Sequence, residues 1–286
     1  MLFENLKGKT FILGVGAQKA GTSWLFDCLS QSPQVSVSAI KELHVFDTWF
    51  RPDLCARFDF LFTDELRRRL KRKSEAEPIV FDDRMKCLLA RVKMIAERSA
   101  YLEYFSNIDV AHRSHFCEIT PSYSLIGEGG WREVKEMFRQ ASMNLKIVFL
   151  LRDPIDRYYS ALRMKQRKSR GEINANEVFL PNIRNPQQYE RGRYDFTIKN
   201  LLNVFDEEDL YFAFYEELFS NEEIVKLFDF LGLEPVDADF SNIVNQSPFD
   251  EALSNEQIAK AREVFDPVYR FCDEFFGMNV PSSWRL

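Results

Sequence analysis

The chain has 286 residues, enough for one large domain or two small ones. Its 45% hydrophobic content and 27 phenylalanines can build a sizeable core, which excludes a disordered chain. Its net charge of −6 excludes the global basic field of a nucleic-acid binder, so local basic groups would have to hold any anionic ligand.

In chain order, Thr10 to Gly16 is an apolar run ending in glycine, and Thr22 to Leu29 has helical apolar spacing. The two read as a strand, a loop and a helix. Val35 to Ser38 is a weaker strand. Residues 51–110 are charged and helical in character, and include the basic run Arg67 to Lys73, which reads as a solvated helix face. His115 to Thr120 is a strand stopped by Pro121. Lys146 to Leu151, KIVFLL, is the strongest buried strand, and Leu210 to Tyr215 is the next. Residues 166–193 are polar, with Pro181 and Pro186. Strands alternating with helices predict an α/β fold: a central parallel sheet of about five strands with helices on both faces. The segments 51–110 and 166–193 then become a helical and a loop-rich insertion within a single domain, 1–286, placed over the carboxyl ends of the strands near the acceptor site.

The five cysteines are odd in number and form no CxxC, which favours reduced thiols in a cytoplasmic protein over a disulfide framework. With three histidines a zinc site is not expected. No run approaches the roughly 20 apolar residues of a membrane span.

The loop GAQKAGTS, residues 16–23, has Walker spacing between Gly16 and Gly21. Thr22 stands where the Walker lysine belongs, and the only lysine, Lys19, sits inside the loop. A loop running from a strand into a helix N-terminus points N–H groups at an anion, and Thr22 and Ser23 add hydroxyl donors. Lys19 at the crest suits a donor with a shorter phosphate chain than ATP. GAQKAGTSWL resembles the 5′-phosphosulfate loop of the sulfotransferases that use 3′-phosphoadenosine 5′-phosphosulfate (PAPS), and is most similar to that of the heparan-sulfate and other carbohydrate sulfotransferases. The resemblance implies a P-loop-kinase-like fold, with Lys19 on the leaving group. It also implies that Ala20, Gly21, Thr22, Ser23 and Trp24 hold the 5′-phosphate through their N–H groups.

A second segment, RDPIDRYYS from Arg152 to Ser160, follows the strongest strand. Asp153 suits an N-cap and Pro154 the first helical position. An Arg guanidinium and a Ser hydroxyl make a charge-assisted phosphate site. The segment resembles the family's 3′-phosphate motif, which implies that Arg152 and Ser160 bind that phosphate and that Arg157 braces the site through ion pairs. Two phosphate sites, one for each end of a nucleotide, imply PAPS rather than ATP.

Transfer to a hydroxyl needs a base near the sulfur. SAIKELHVFD, residues 38–47, resembles the family's base-bearing segment, which places the base at Glu42 with His44 as the alternative. An extended segment would put both on one face. CEITPSYSL, residues 117–125, resembles the acceptor-lining segment, with Tyr123 available to an acceptor. Glu118 stands where the family has lysine, which argues against a highly sulfated acceptor and supplies a second carboxylate. Residues 242–253 lack the Gly- and Lys/Arg-rich loop that covers the adenine in many relatives, so either Asn245 or Arg193 takes that role or PAPS binds more weakly.

The resulting expectation is sulfuryl transfer from PAPS to a hydroxyl of a carbohydrate or other small molecule, without a metal. A Mg²⁺-dependent nucleoside or sugar kinase would want a lysine after Gly21. A non-catalytic nucleotide-binding protein would need neither Lys19 nor Glu42.

Overall fold

The computed structural model describes residues 3–74, 81–108, 113–236 and 251–285. Its strands are β1 Thr10–Gly16, β2 Val35–Val37, β3 His115–Ile119, β4 Asn144–Leu151 and β5 Leu210–Phe214. They form one sheet in the order β2-β3-β1-β4-β5, with every pair parallel. This is the P-loop-kinase-like α/β arrangement. β3 is buried along its whole length and β1 at every position after Thr10. Burial on both faces explains why these strands read as continuous apolar runs rather than alternating ones.

Thr10 lies level with both His115 and Asn144. The carboxyl ends of β1, β3 and β4 therefore finish along one edge of the sheet. From β1 the chain reaches β3 on one side and β4 on the other, so a crevice opens beyond these ends, where α/β proteins place ligands.

The helices are α1 Thr22–Gln31, α2 Phe46–Phe50, α3 Pro52–Cys55, α4 Arg57–Ser74, α5 Asp83–Ala96, α6 Ala100–Asn107, α7 Glu128–Gln140, α8 Pro154–Lys168, α9 Pro186–Tyr189, α10 Tyr194–Leu202, α11 Asn221–Leu231 and α12 Asn255–Phe276. Residues 51–110 carry α3 to α6. In α4, Arg67 and Arg68 are exposed and pair with Asp64 one turn back, at 2.8 and 3.1 Å, as a solvated face does. Among the described residues, no helix is long and apolar enough to cross a membrane.

Many of the phenylalanines join one hydrophobic core. The Phe11 ring meets Phe105 and Phe138 at centroid distances of 4.7 Å. A fully buried ring of this kind contributes about 2 kcal/mol. Each of the five cysteines is buried and none is bridged. Burial pushes the Cys28 thiol up to about 11 and that of Cys55 to about 12.

Candidate functional site

The loop after β1 turns through two left-handed residues, Lys19 at φ 74° and Gly21 at φ 88°. Glycine suits this position because φ 88° strains any side chain, and a Cβ would also lie 2.6 Å from Leu218 Cδ2. Gly21 is the N-cap of α1 and supplies no side-chain cap, so the first-turn N–H groups of α1 are left for another acceptor. Ser23 is half-buried beside them, and Thr22 is almost fully buried. The Ala20 amide instead donates to the Ala17 carbonyl at 3.1 Å, which takes it out of the expected donor set. The Trp24 ring packs edge-on against Phe219 at 5.3 Å.

β4 ends at Leu151, and Arg152 reaches across to the loop. Its Nη1 donates to the Lys19 carbonyl at 3.1 Å, and its guanidinium lies 4.4 Å from the Tyr215 ring centre. Asp153 caps α8 by accepting from the amides of Ile155 (2.9 Å) and Asp156 (3.0 Å). The Tyr194 hydroxyl donates to the Arg152 carbonyl at 2.7 Å, so the turn is fixed from both sides.

Ser160 is half-buried two turns into α8. Arg163 and Arg167, three and seven residues further on, share its face. The Lys19 ammonium is lowered from its usual pKa, first by burial and then by the charges of Arg167, Arg152 and Arg163; Glu42 acts in the opposite direction. Nε of Arg152 and Nε of Arg163 are buried with no hydrogen-bond partner among the described residues. Four crowded cations, two of them with unused donors, make a site for anionic groups such as phosphates. Sequence reading missed Arg163 and Arg167; their spacing from Ser160 was the available signal.

Among the described residues Arg157 makes no ion pair through which to brace the site. It is fully buried and donates to the Gln188 carbonyl at 2.8 Å, and its Nε and Nη1 have no partner among the described residues. Burial lowers its pKa to about 10. Arg193 is tied to Asp195 by two bonds, at 2.8 and 2.7 Å. Asn245 lies outside the described residues.

Across from Lys19 lies the Glu42 segment, which is not extended. Glu42 has φ 61° and His44 φ 52°, both left-handed. Two such turns still bring the side chains together, with His44 Nε2 3.7 Å from Glu42 Oε2. Lys41 Nζ lies 2.7 Å from Glu42 Oε1. On the other side of the imidazole, Nδ1 is 2.6 Å from Asp47 Oδ2, and the Ser122 hydroxyl donates to the same oxygen at 2.6 Å. The ring stacks on Phe58 at 3.4 Å. The Glu42 side chain is 39% exposed, whereas that of His44 is 9% exposed. Crowding at the Glu42 carboxyl would raise its pKa; the His44 contact and the Lys41 charge outweigh this and bring it to about 2. Burial would lower His44, but Asp47 and Glu42 outweigh it and the pKa is raised.

Glu118 and Tyr123 were expected to line the acceptor, yet both are fully buried and present no surface to one. They hold the backbone of the Glu42 segment: Leu43 N–H donates to Glu118 Oε1 at 3.2 Å and Val45 N–H to the Tyr123 hydroxyl at 3.1 Å. Burial raises the Glu118 pKa to about 7 against hydrogen bonds from Thr120, Tyr123 and Leu43, and the Asp47 charge raises it further. The native state thus holds this proton at a pH where the unfolded chain has released it. Stability is expected to fall as pH rises from about 4.5 to about 7, by about 3 kcal/mol. E118Q removes that slope. Its melting temperature relative to wild type is therefore expected to be higher at pH 8 than at pH 5, and an equal difference at both would refute the assignment.

A cavity of about 560 Å³ lies elsewhere, lined by Phe46, Trp49, Phe50 and Met137 among others and by none of the cations above.

The family model for the sulfotransferase domain matches residues 9–267. Among solved structures, the chain is similar to a sulfotransferase from Alicyclobacillus acidocaldarius, with 23% identity and a TM-score of 0.65 over 98% of this chain and 99% of that one. It is also similar to the sulfotransferase domain from the curacin biosynthetic pathway, at 18% identity and TM-score 0.48, covering 96% and 93% of the two chains. The mouse sulfotransferase SULT7A1 complexed with PAP gives 11% identity and TM-score 0.46, covering 99% and 91%. No curated protein matches the chain. The likeness to the Alicyclobacillus structure shows a shared fold. The family match, running from just before β1 to well into α12, shows that the chain belongs to the sulfotransferase domain family.

Proposed function

We propose that the chain, working as one domain, transfers a sulfuryl group from PAPS to a hydroxyl of a carbohydrate or other small-molecule acceptor. The observation that carries this reading is one accessible carboxylate, Glu42, set opposite four converging cations, Lys19, Arg152, Arg163 and Arg167. PAPS, when bound, supplies an activated sulfuryl group joined to a phosphate. The first turn of α1 and Ser23 hold the 5′-phosphate end. Arg152, Ser160, Arg163 and Arg167 hold the 3′-phosphate end and so fix the donor's orientation. An anion among these groups offsets the repulsion on Lys19, whose ammonium then stabilises charge on the departing oxygen.

Glu42 takes the acceptor proton. With a pKa near 2 it is ionised throughout the neutral range, and it is the more exposed of the two candidates. His44 has one nitrogen on Asp47 and the other toward Glu42, so it orients the carboxylate. The likeness of residues 38–47 to the heparan-sulfate sulfotransferase segment supports a carbohydrate acceptor. Five buried, unbridged thiols support a reducing compartment such as the cytoplasm.

A thermal-shift panel tests the donor class. 3′,5′-Adenosine diphosphate is expected to raise the melting temperature well above the effect of ADP, or of ATP with Mg²⁺, at equal concentration. Stabilisation by ATP with Mg²⁺ and not by the bisphosphate would instead indicate a kinase.

A further inference from the structure

Neither Glu42 nor His44 is glycine or asparagine, yet both are left-handed. Such a backbone persists only where its surroundings over-determine it. Here five consecutive backbone polar groups, from Leu43 N–H to Val45 N–H, are engaged by side chains from outside the segment. Three amides are held from the β3 side: Leu43 N–H by Glu118 Oε1 (3.2 Å), His44 N–H by Thr120 Oγ1 (3.4 Å) and Val45 N–H by the Tyr123 hydroxyl (3.1 Å). The two carbonyls are held by one guanidinium. Arg91 Nε donates to the Leu43 carbonyl at 2.5 Å and Nη2 to the His44 carbonyl at 2.6 Å. The same Nη2 pairs with Asp59.

We propose that Arg91 and Glu118 are positioning residues for the sulfuryl transfer, clamping the Glu42 segment from opposite faces of its backbone. The inference rests on Glu42 being the base. Both side chains are fully buried, and both are costly groups to bury. Glu118 leaves Oε2 without a hydrogen-bond partner among the described residues, and Arg91 leaves Nη1 so. A core that needed only packing would be better served by apolar side chains of the same size. A planar fork reaching two adjacent carbonyls is something lysine cannot reproduce. Arg91 lies on α5 and Asp59 on α4, so the helical segment 51–110 reaches beneath the base as well as packing on itself. The base is thus set by side chains that never touch the acceptor.

The test uses the full chain with steady-state kinetics and bisphosphate titration. R91K and E118L are expected to lower kcat about 10- to 100-fold, since a small misplacement of a catalytic group costs on that order. The Kd for 3′,5′-adenosine diphosphate should stay within about 3-fold, because the cation cluster is untouched. E118Q keeps an acceptor oxygen for Leu43 N–H and should recover most of the kcat lost in E118L. If R91K does not fold, D59N keeps Arg91 and removes only its outer anchor; its expected loss is about 3- to 10-fold, again in kcat alone. Wild-type kcat in folded R91K or D59N together with E118L overturns the clamp, as does an equal loss of bisphosphate affinity. Near-normal turnover in E42Q would instead overturn the base assignment. Combining R91K with E42Q should add little to the loss in E42Q, because the clamp acts through that carboxylate.

Discussion

The E42Q variant is expected to lose kcat by about 10²- to 10⁴-fold while binding 3′,5′-adenosine diphosphate at least as tightly as wild type. Glutamine keeps the shape of the side chain but cannot take a proton at neutral pH. Its effect on the nucleotide runs the other way. Glu42 is a negative neighbour that opposes the repulsion on Lys19, so its removal leaves the cation cluster more attractive to phosphate. The same variant decides between the two candidate bases. Glu42 is among the groups that hold the His44 pKa up, and losing it lowers that pKa. More neutral imidazole would then be present near pH 7. If His44 were the base, E42Q would retain or gain turnover; single-turnover rates of folded E42Q from pH 6 to 9 show which occurs.

The second large effect belongs to Lys19. K19M, which keeps the length of the chain and discards the charge, is expected to lower kcat about 10²- to 10³-fold, as removing one donor from a developing oxyanion does. The apo protein should not become less stable. A lysine whose native pKa is lowered is penalised in its charged form when folded; that penalty is full below the native pKa and fades only as pH rises from there toward the ordinary lysine value. Removing the charge removes the repulsion from Arg152, Arg163 and Arg167. The unliganded melting temperature of K19M should therefore equal or exceed that of wild type, while the increment produced by the bisphosphate shrinks. A lower unliganded melting temperature with full kcat would mean that Lys19 serves the fold rather than the reaction.

The sheet was legible because KIVFLL and the run before Gly16 are buried on both sides, and such burial leaves little room for polar residues. The Asp153-Pro154 start of α8 was legible because capping chemistry is local. Arg163 and Arg167 were not, since arginines at helical spacing also describe a solvated face. The shape of the Glu42 segment was read as extended for a related reason. Its left-handed turns are not written in its own residue types; Arg91 and Glu118 impose them from 48 and 75 residues away. Glu118 was read as a second carboxylate beside the acceptor, and only the interior position of β3 in the sheet reveals it as buried.

The sealed cysteines turn the protein into its own chemical reporter. All five thiols are shielded, and those of Cys28 and Cys55 are held almost wholly protonated at neutral pH. A thiol-selective reagent therefore finds no accessible thiolate on the native fold. Each equivalent that reacts marks an opening event: Cys28 for the helix α1 after the β1 loop, Cys55 for the turn beside Asp47, Cys117 for strand β3 of the sheet. Followed by mass spectrometry with and without bisphosphate, the order in which they react would map which parts of the site the nucleotide closes.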